Sequence, residues 1–145
     1  MKRRQGWSLP FLLAALLYSA AALAQLPTVQ LNAGMYLIRA EVAADFAQRS
    51  RGLMHRRELA PNAGMLFLFD EPGAHCMWMK NTLIPLSVAF LDDGGEIINI
   101  ADMTPHSEQA HCAARPARYA LEMNRGWFAA RGIKPGTRLG GIPGR

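Results

Sequence analysis

Two cysteines are all the chain has, and only 19% of its residues are charged against 50% that are apolar. So little charge with so much apolar content excludes a disordered chain. No uninterrupted apolar run reaches the ~20 residues of a membrane-spanning helix, and the one near the N-terminus contains Pro10. There is no internal repeat. No glycine-rich phosphate loop joins a strand to a helix, and no nucleophile elbow supports acyl transfer. Asp92-Asp93-Gly94-Gly95 lacks the further spaced carboxylates of a calcium loop.

The N-terminus has the pattern of an export signal. Lys2, Arg3 and Arg4 precede an apolar stretch at residues 9–17, and Ala22-Leu23-Ala24 is a small-x-small cleavage site before Gln25. The expected product is one domain over residues 25–145, periplasmic or secreted. No stable membrane anchor is expected after cleavage, and no cysteine near the cleavage site offers a lipid attachment point. Three of the 16 cations lie in the leader, which leaves 13 against 11 acids. That balance argues against a nucleic-acid partner. The eleven remaining arginines are scattered and read as solvated surface.

Residues 29–43 alternate around the turn signal Asn32-Ala33-Gly34 and predict a hairpin. Residues 45–57 predict a helix capped by Asp45, with Phe46, Leu53 and Met54 on its apolar side. Gly52 weakens that helix by about 1 kcal/mol. Strands are expected at 65–69, 76–82, 86–91, 96–100, 119–123 and around 137–139. Glu71-Pro72-Gly73 reads as a turn, Asp92-Asp93-Gly94-Gly95 as a hairpin turn, and residues 103–116 as a polar loop. A short helix is expected at 126–131 and a loose tail at 140–145. The class is therefore α+β, mainly β: a mostly antiparallel sheet or small barrel with two short peripheral helices.

In an oxidising compartment Cys76 and Cys112 are expected to form a disulfide. The model of chain entropy assigns such a loop roughly 4 kcal/mol. A redox-active pair or a metal site are the alternatives. Each cysteine follows a histidine, His75 and His111, but neighbours on a strand face opposite ways and zinc pairs are spaced by two to four residues. An extended segment would place His75, Met77 and Met79 on one face, a copper(I) type of ligand set. Core packing is the plainer reading of the methionines.

Lys80-Asn81-Thr82 interrupts an apolar stretch. If Lys80 packs its stem inward, Glu122 or Asp70 is its expected partner, either as a functional group or as a structural ion pair. His106 and His111 share a loop with Asp102, Ser107 and Glu108, which crowds hydrolase residue types together without forming a triad.

Arg51-Gly52-Leu53-Met54, the run Gly64 to Phe69, Trp78-Met79-Lys80-Asn81-Thr82, Ile84-Pro85-Leu86 and the run Gly132 to Gly136 together resemble the DUF192 family over residues 29–139. The resemblance implies one small, largely β domain, often exported in bacteria, and it implies no reaction. The His-Cys dipeptides are a variation within it, so a bridge would be a stabiliser rather than the site. The expectation is a non-enzymatic binding or accessory protein, monomeric and without cofactor. Its recognition site is expected at Lys80, Asn81, Thr82, Arg51 and Glu122, for a small molecule or a protein. A copper-handling protein and a small hydrolase are the other two readings.

Overall fold

The computed structural model describes residues 25–144, and the expected signal segment lies outside them. β1 (Thr28–Ala33) and β2 (Tyr36–Ala43) pair antiparallel from Thr28↔Glu41 to Ala33↔Tyr36. Leu31, Ala33, Ile38 and Ala40 are buried there, at the every-second-residue spacing of a half-buried sheet.

α1 (Phe46–Arg51) begins with a capping box. The Asp45 carboxylate accepts the Gln48 N–H at 2.7 Å, and the Gln48 side chain accepts the Asp45 N–H at 3.3 Å. The helix is shorter than expected. Gly52, at φ 47°, takes a conformation that side chains resist, and the helix stops before it. Its expected apolar face is also absent, since no residue of α1 is buried and Phe46 is 80% exposed. Less than two turns cannot form a stripe, and the helix is held by its cap and by Arg49 instead.

β3 (Ala63–Gly73) runs through Glu71-Pro72-Gly73, where a turn was expected, and its register with the neighbouring strand shifts between Leu68 and Gly73. A bulge of this kind is where a sheet tolerates proline. β4 (Cys76–Met77) is cut short of the expected residue 82, because Asn81 turns at φ 52° and the Thr82 N–H donates to the Met79 carbonyl at 3.1 Å. β5 (Leu86–Leu91), β6 (Ile97–Met103), β7 (His111–Cys112) and β8 (Ala117–Asn124) follow, then α2 (Trp127–Ala130) and β9 (Leu139–Gly140).

The main sheet has the order β6-β5-β8-β3-β2-β1-β9, and β4 with β7 form a second, two-stranded sheet. β2 and β3, linked through α1, are parallel, and the other pairs are antiparallel. The fold is thus mainly β with two short helices, its large sheet curled into a half-barrel. Residues 136–140 reach both edges. Leu139 pairs with Ala33 of β1 while its N–H donates to Gly95, and the Gly136 N–H donates to Ile97 of β6.

Each face of the sheet carries its own core. Leu31, Ile38, Leu66, Leu121 and Leu91 pack on one side under Trp127 and Phe128 of α2. Met65, Phe67, Val88, Phe90 and Ala120 pack on the other under Leu53, Met79 and Ile84. The tail is not loose up to the last described residues: Ile142 is buried against the first core, and Gly140 is paired with Asn32.

Candidate functional site

Glu122 sits in the middle of β8, opposite Met65 on β3 and Val88 on β5. Strand alternation turns it toward the second core, where it is buried at 3% exposure. Among the described residues none donates a hydrogen bond to its carboxyl. Burial alone pushes its pKa up to about 8. Near neutral pH the group is therefore chiefly a protonated acid, able to donate as well as accept.

An open cleft of ≈ 590 Å³ leads to this carboxyl. Leu53, Phe67, Phe69 and Met77 supply apolar wall. α1 brings Phe46, Arg49 and Arg51 to one side, and the segment after β4 brings Trp78 to the lining as well. Phe46 and Trp78 are large aromatics left 80% and 47% exposed, so the lining includes two rings that the core does not bury.

The wall around β4 is stiffened in two ways. A disulfide joins Cys76 to Cys112, which face each other across β4 and β7 with Cα atoms 3.9 Å apart. His75 stacks on Phe69 with ring centroids 3.8 Å apart, and its Nε2 lies 2.8 Å from the Glu71 carbonyl.

Of the residues expected to form the site, Arg51, Thr82 and Glu122 line the cleft, and Lys80 and Asn81 do not. Lys80 is exposed, and its Nζ lies 5.3 Å from the centroid of the Trp78 ring. The expected pairing of Lys80 with Glu122 or Asp70 is not formed. Trp78 offers the ammonium a cation–π contact in water, at no desolvation cost, and Asp70 is taken by Arg49 at 3.2 Å. The polar triplet is chiefly a turn. The Asn81 carbonyl accepts the His55 N–H at 2.9 Å, and the Thr82 hydroxyl donates to the Lys80 carbonyl at 3.0 Å. Phe46 is the cleft residue that sequence reasoning misplaced, because its helical spacing pointed it inward.

His75 and Met77 line the cleft, but Met79 is buried in the second core and does not. The cysteines are spent on each other. Among the described residues no group of three or more His, Cys, Asp or Glu is placed to hold a metal ion. His106 and His111 make no side-chain hydrogen bond to Ser107 or to an acid among the described residues. A second hollow of ≈ 740 Å³ lies on the other side of Arg51, lined by Arg39, Glu41, His55 and Arg56. There Arg56 forms a two-pronged pair with Glu41, one prong at 2.9 Å. That hydrogen bond holds the guanidinium above its ordinary pKa. Among the described residues no helix is long and apolar enough to cross a membrane.

Residues 29–141 match the family model DUF192, described as an uncharacterised ACR. A crystal structure from Sinorhizobium meliloti 1021, of a protein provisionally described as a transcription regulator, is 38% identical with a TM-score of 0.78, over 81% of this chain and 96% of that one. A protein of unknown function from Novosphingobium aromaticivorans DSM 12444 is 37% identical with a TM-score of 0.73, over 83% of this chain and 93% of that one. No curated protein matches the chain.

Proposed function

The chain belongs to the DUF192 family, and we propose that it is an exported binding protein that takes a small, largely apolar molecule into the Glu122 cleft. One observation carries this reading: the Glu122 carboxyl, only 3% exposed, lines an open cleft together with two exposed aromatic rings. Burying a carboxyl this deeply costs folding free energy, and an exposed Phe and an exposed Trp in the lining do nothing for the core. Both become useful when a ligand fills the space. The volume lies in the ordinary range for small-molecule sites, and the mix of apolar wall with a few polar groups is their usual make-up.

Export is supported by the leader sequence and by the disulfide, which persists in oxidising compartments. A catalytic reading has less behind it. Glu122 has no second acid or base hydrogen-bonded to it with which to share proton transfer. The regulator description of the Sinorhizobium neighbour has no support in charge, because 13 cations against 11 acids in residues 25–145 leave an excess of only two positive charges for nucleic acid.

Ligand-detected NMR of the purified protein with a fragment library tests the reading. Bound fragments should perturb amides of residues 50–54 and 120–123. The F46A/W78A double variant should lose most of that binding with an unchanged Tm. A library that gives no saturable binder at those amides would remove the proposal.

A further inference from the structure

We propose that the cleft selects a monocationic amphiphile, an organic ammonium with an aromatic or branched apolar body whose charged nitrogen takes the Glu122 carboxylate as its counter-ion. This rests on the binding reading above and adds the chemical class of the ligand.

The argument is a charge balance over the cleft lining. α1 contributes two cations, Arg49 and Arg51, and β3 contributes two anions, Asp70 and Glu71. Arg49 and Asp70 already form an ion pair. His75, between β3 and β4, is held by the Glu71 carbonyl and the Phe69 ring. β4 and the lining residues after it, Trp78 and Thr82, bring no charge. Counted as formal charges, Arg49 and Arg51 equal Asp70 and Glu71, so Glu122 is the excess acid of the lining. Ionised, it leaves the cleft at a net charge of −1, which a single positive charge neutralises. An anionic ligand would meet the lone carboxyl in its path, and a dication would overshoot.

The apolar and aromatic surroundings agree with this. A carboxylate accepting from an ammonium is a charge-assisted bond, strengthened where water is excluded. Aromatic faces in the lining attract organic cations, and the Trp78 ring already carries one from this chain, Lys80. In the free protein burial keeps the Glu122 proton on, with a pKa pushed up to about 8. A cation favours the charged form, so binding below that pH must expel the proton to solvent. Ammonium binding and proton release are then a single event.

Isothermal titration of the purified protein with phenylpropylammonium, phenylpropanol and phenylpropionate separates the possibilities. At pH 7 the ammonium should bind at least about tenfold tighter than the alcohol, with the carboxylate weakest. Repeating the titration in buffers of different ionisation enthalpy should show release of close to one proton per ammonium bound and none for the alcohol. E122Q, which keeps the shape of the protonated acid, should lose both the ammonium preference and the proton release. The proton count needs no variant, so it decides the matter even if E122Q folds poorly. Equal or tighter binding of the alcohol or the carboxylate overturns the ammonium proposal and leaves the binding cleft standing, as does ammonium binding without proton release. If none of the three binds, the ammonium proposal falls; the fragment screen then shows whether the cleft reading falls with it.

Discussion

Arg49 of α1 grips β3 twice, donating to the Leu68 carbonyl at 2.9 Å and pairing with Asp70 at 3.2 Å. A third bond runs to the Ala44 carbonyl, just before the helix. The two partners on β3 are not equivalent. The Asp70 side chain is 82% exposed, so water screens that pair, whereas the Arg49 side chain is 16% exposed and its bond to the Leu68 carbonyl is partly buried.

The contrast gives a measurable asymmetry. D70A should cost at most about 0.5 kcal/mol, as exposed ion pairs do. R49A strands the carbonyls and frees α1, so it should cost about 2 kcal/mol. Urea denaturation of the two variants checks this, and equal losses would refute it.

Glu122 predicts a pH dependence of stability. Its folded pKa, about 8, is raised above the ordinary carboxyl value of 4.5. The native state therefore holds a proton that the unfolded chain has lost across that window. The sign follows from linkage: this contribution is most favourable below pH 4.5, declines as pH rises toward 8, and then levels off. The decline is at most about 5 kcal/mol. E122Q should lack it, so E122Q should gain on the wild type between pH 5 and pH 8.5 in parallel urea titrations. A constant difference between the two proteins at those pH values would contradict the burial of an unpartnered carboxyl.

Breaking the clasp should loosen the wall of the cleft as well as the fold. C76S/C112S removes a cross-link between residues 36 apart. The expected loss is about 4 kcal/mol by the chain-entropy model. Locally, the Met79 N–H to Ser107 carbonyl bond and the Ala113 N–H to His75 carbonyl bond flank the clasp. Their amides should exchange faster in the variant than amides of β5. Protection factors that fall evenly over the whole sheet would show that the disulfide has no local role at the cleft.

Gly64 is required by proximity rather than by backbone conformation. A Cβ there would lie 2.3 Å from the Met123 sulfur and 2.5 Å from the Glu122 carbonyl oxygen. Methionine can yield, but the carbonyl of β8 cannot move without disturbing the pairing that presents Glu122. G64A should cost at least about 2 kcal/mol, read as a lower urea midpoint. It should also shift the amide resonances of residues 121–123, and an unperturbed β8 would argue against the close approach.

Much of this molecule is written locally. Alternation at Leu31, Ala33, Ile38 and Ala40 marks strands because side chains on a strand point to opposite faces in turn, a rule that needs no knowledge of the partner strand. Asp45 and Gln48 announce the start of a helix because a cap bonds only to its own first turn. Glu122 is legible in the sequence as a candidate partner of Lys80, but what surrounds it is not. Its neighbours Met65, Val88 and Phe67 lie 34 to 57 residues away in the chain. The Lys80 pairing failed for the same reason: a turn at Asn81, completed by His55, sends the ammonium out over Trp78.

Residue by residue, the sequence determined the β character, the turns, the helix cap and the availability of two cysteines. All of these depend on interactions that span a few positions, or on composition. Tertiary structure alone decided that β2 and β3 run parallel, that Phe46 faces water, that Ile142 plugs a core, and that the buried Glu122 lines a cleft. Those outcomes depend on which distant surfaces come together. Burial and desolvation are properties of that assembled environment, not of any segment of chain.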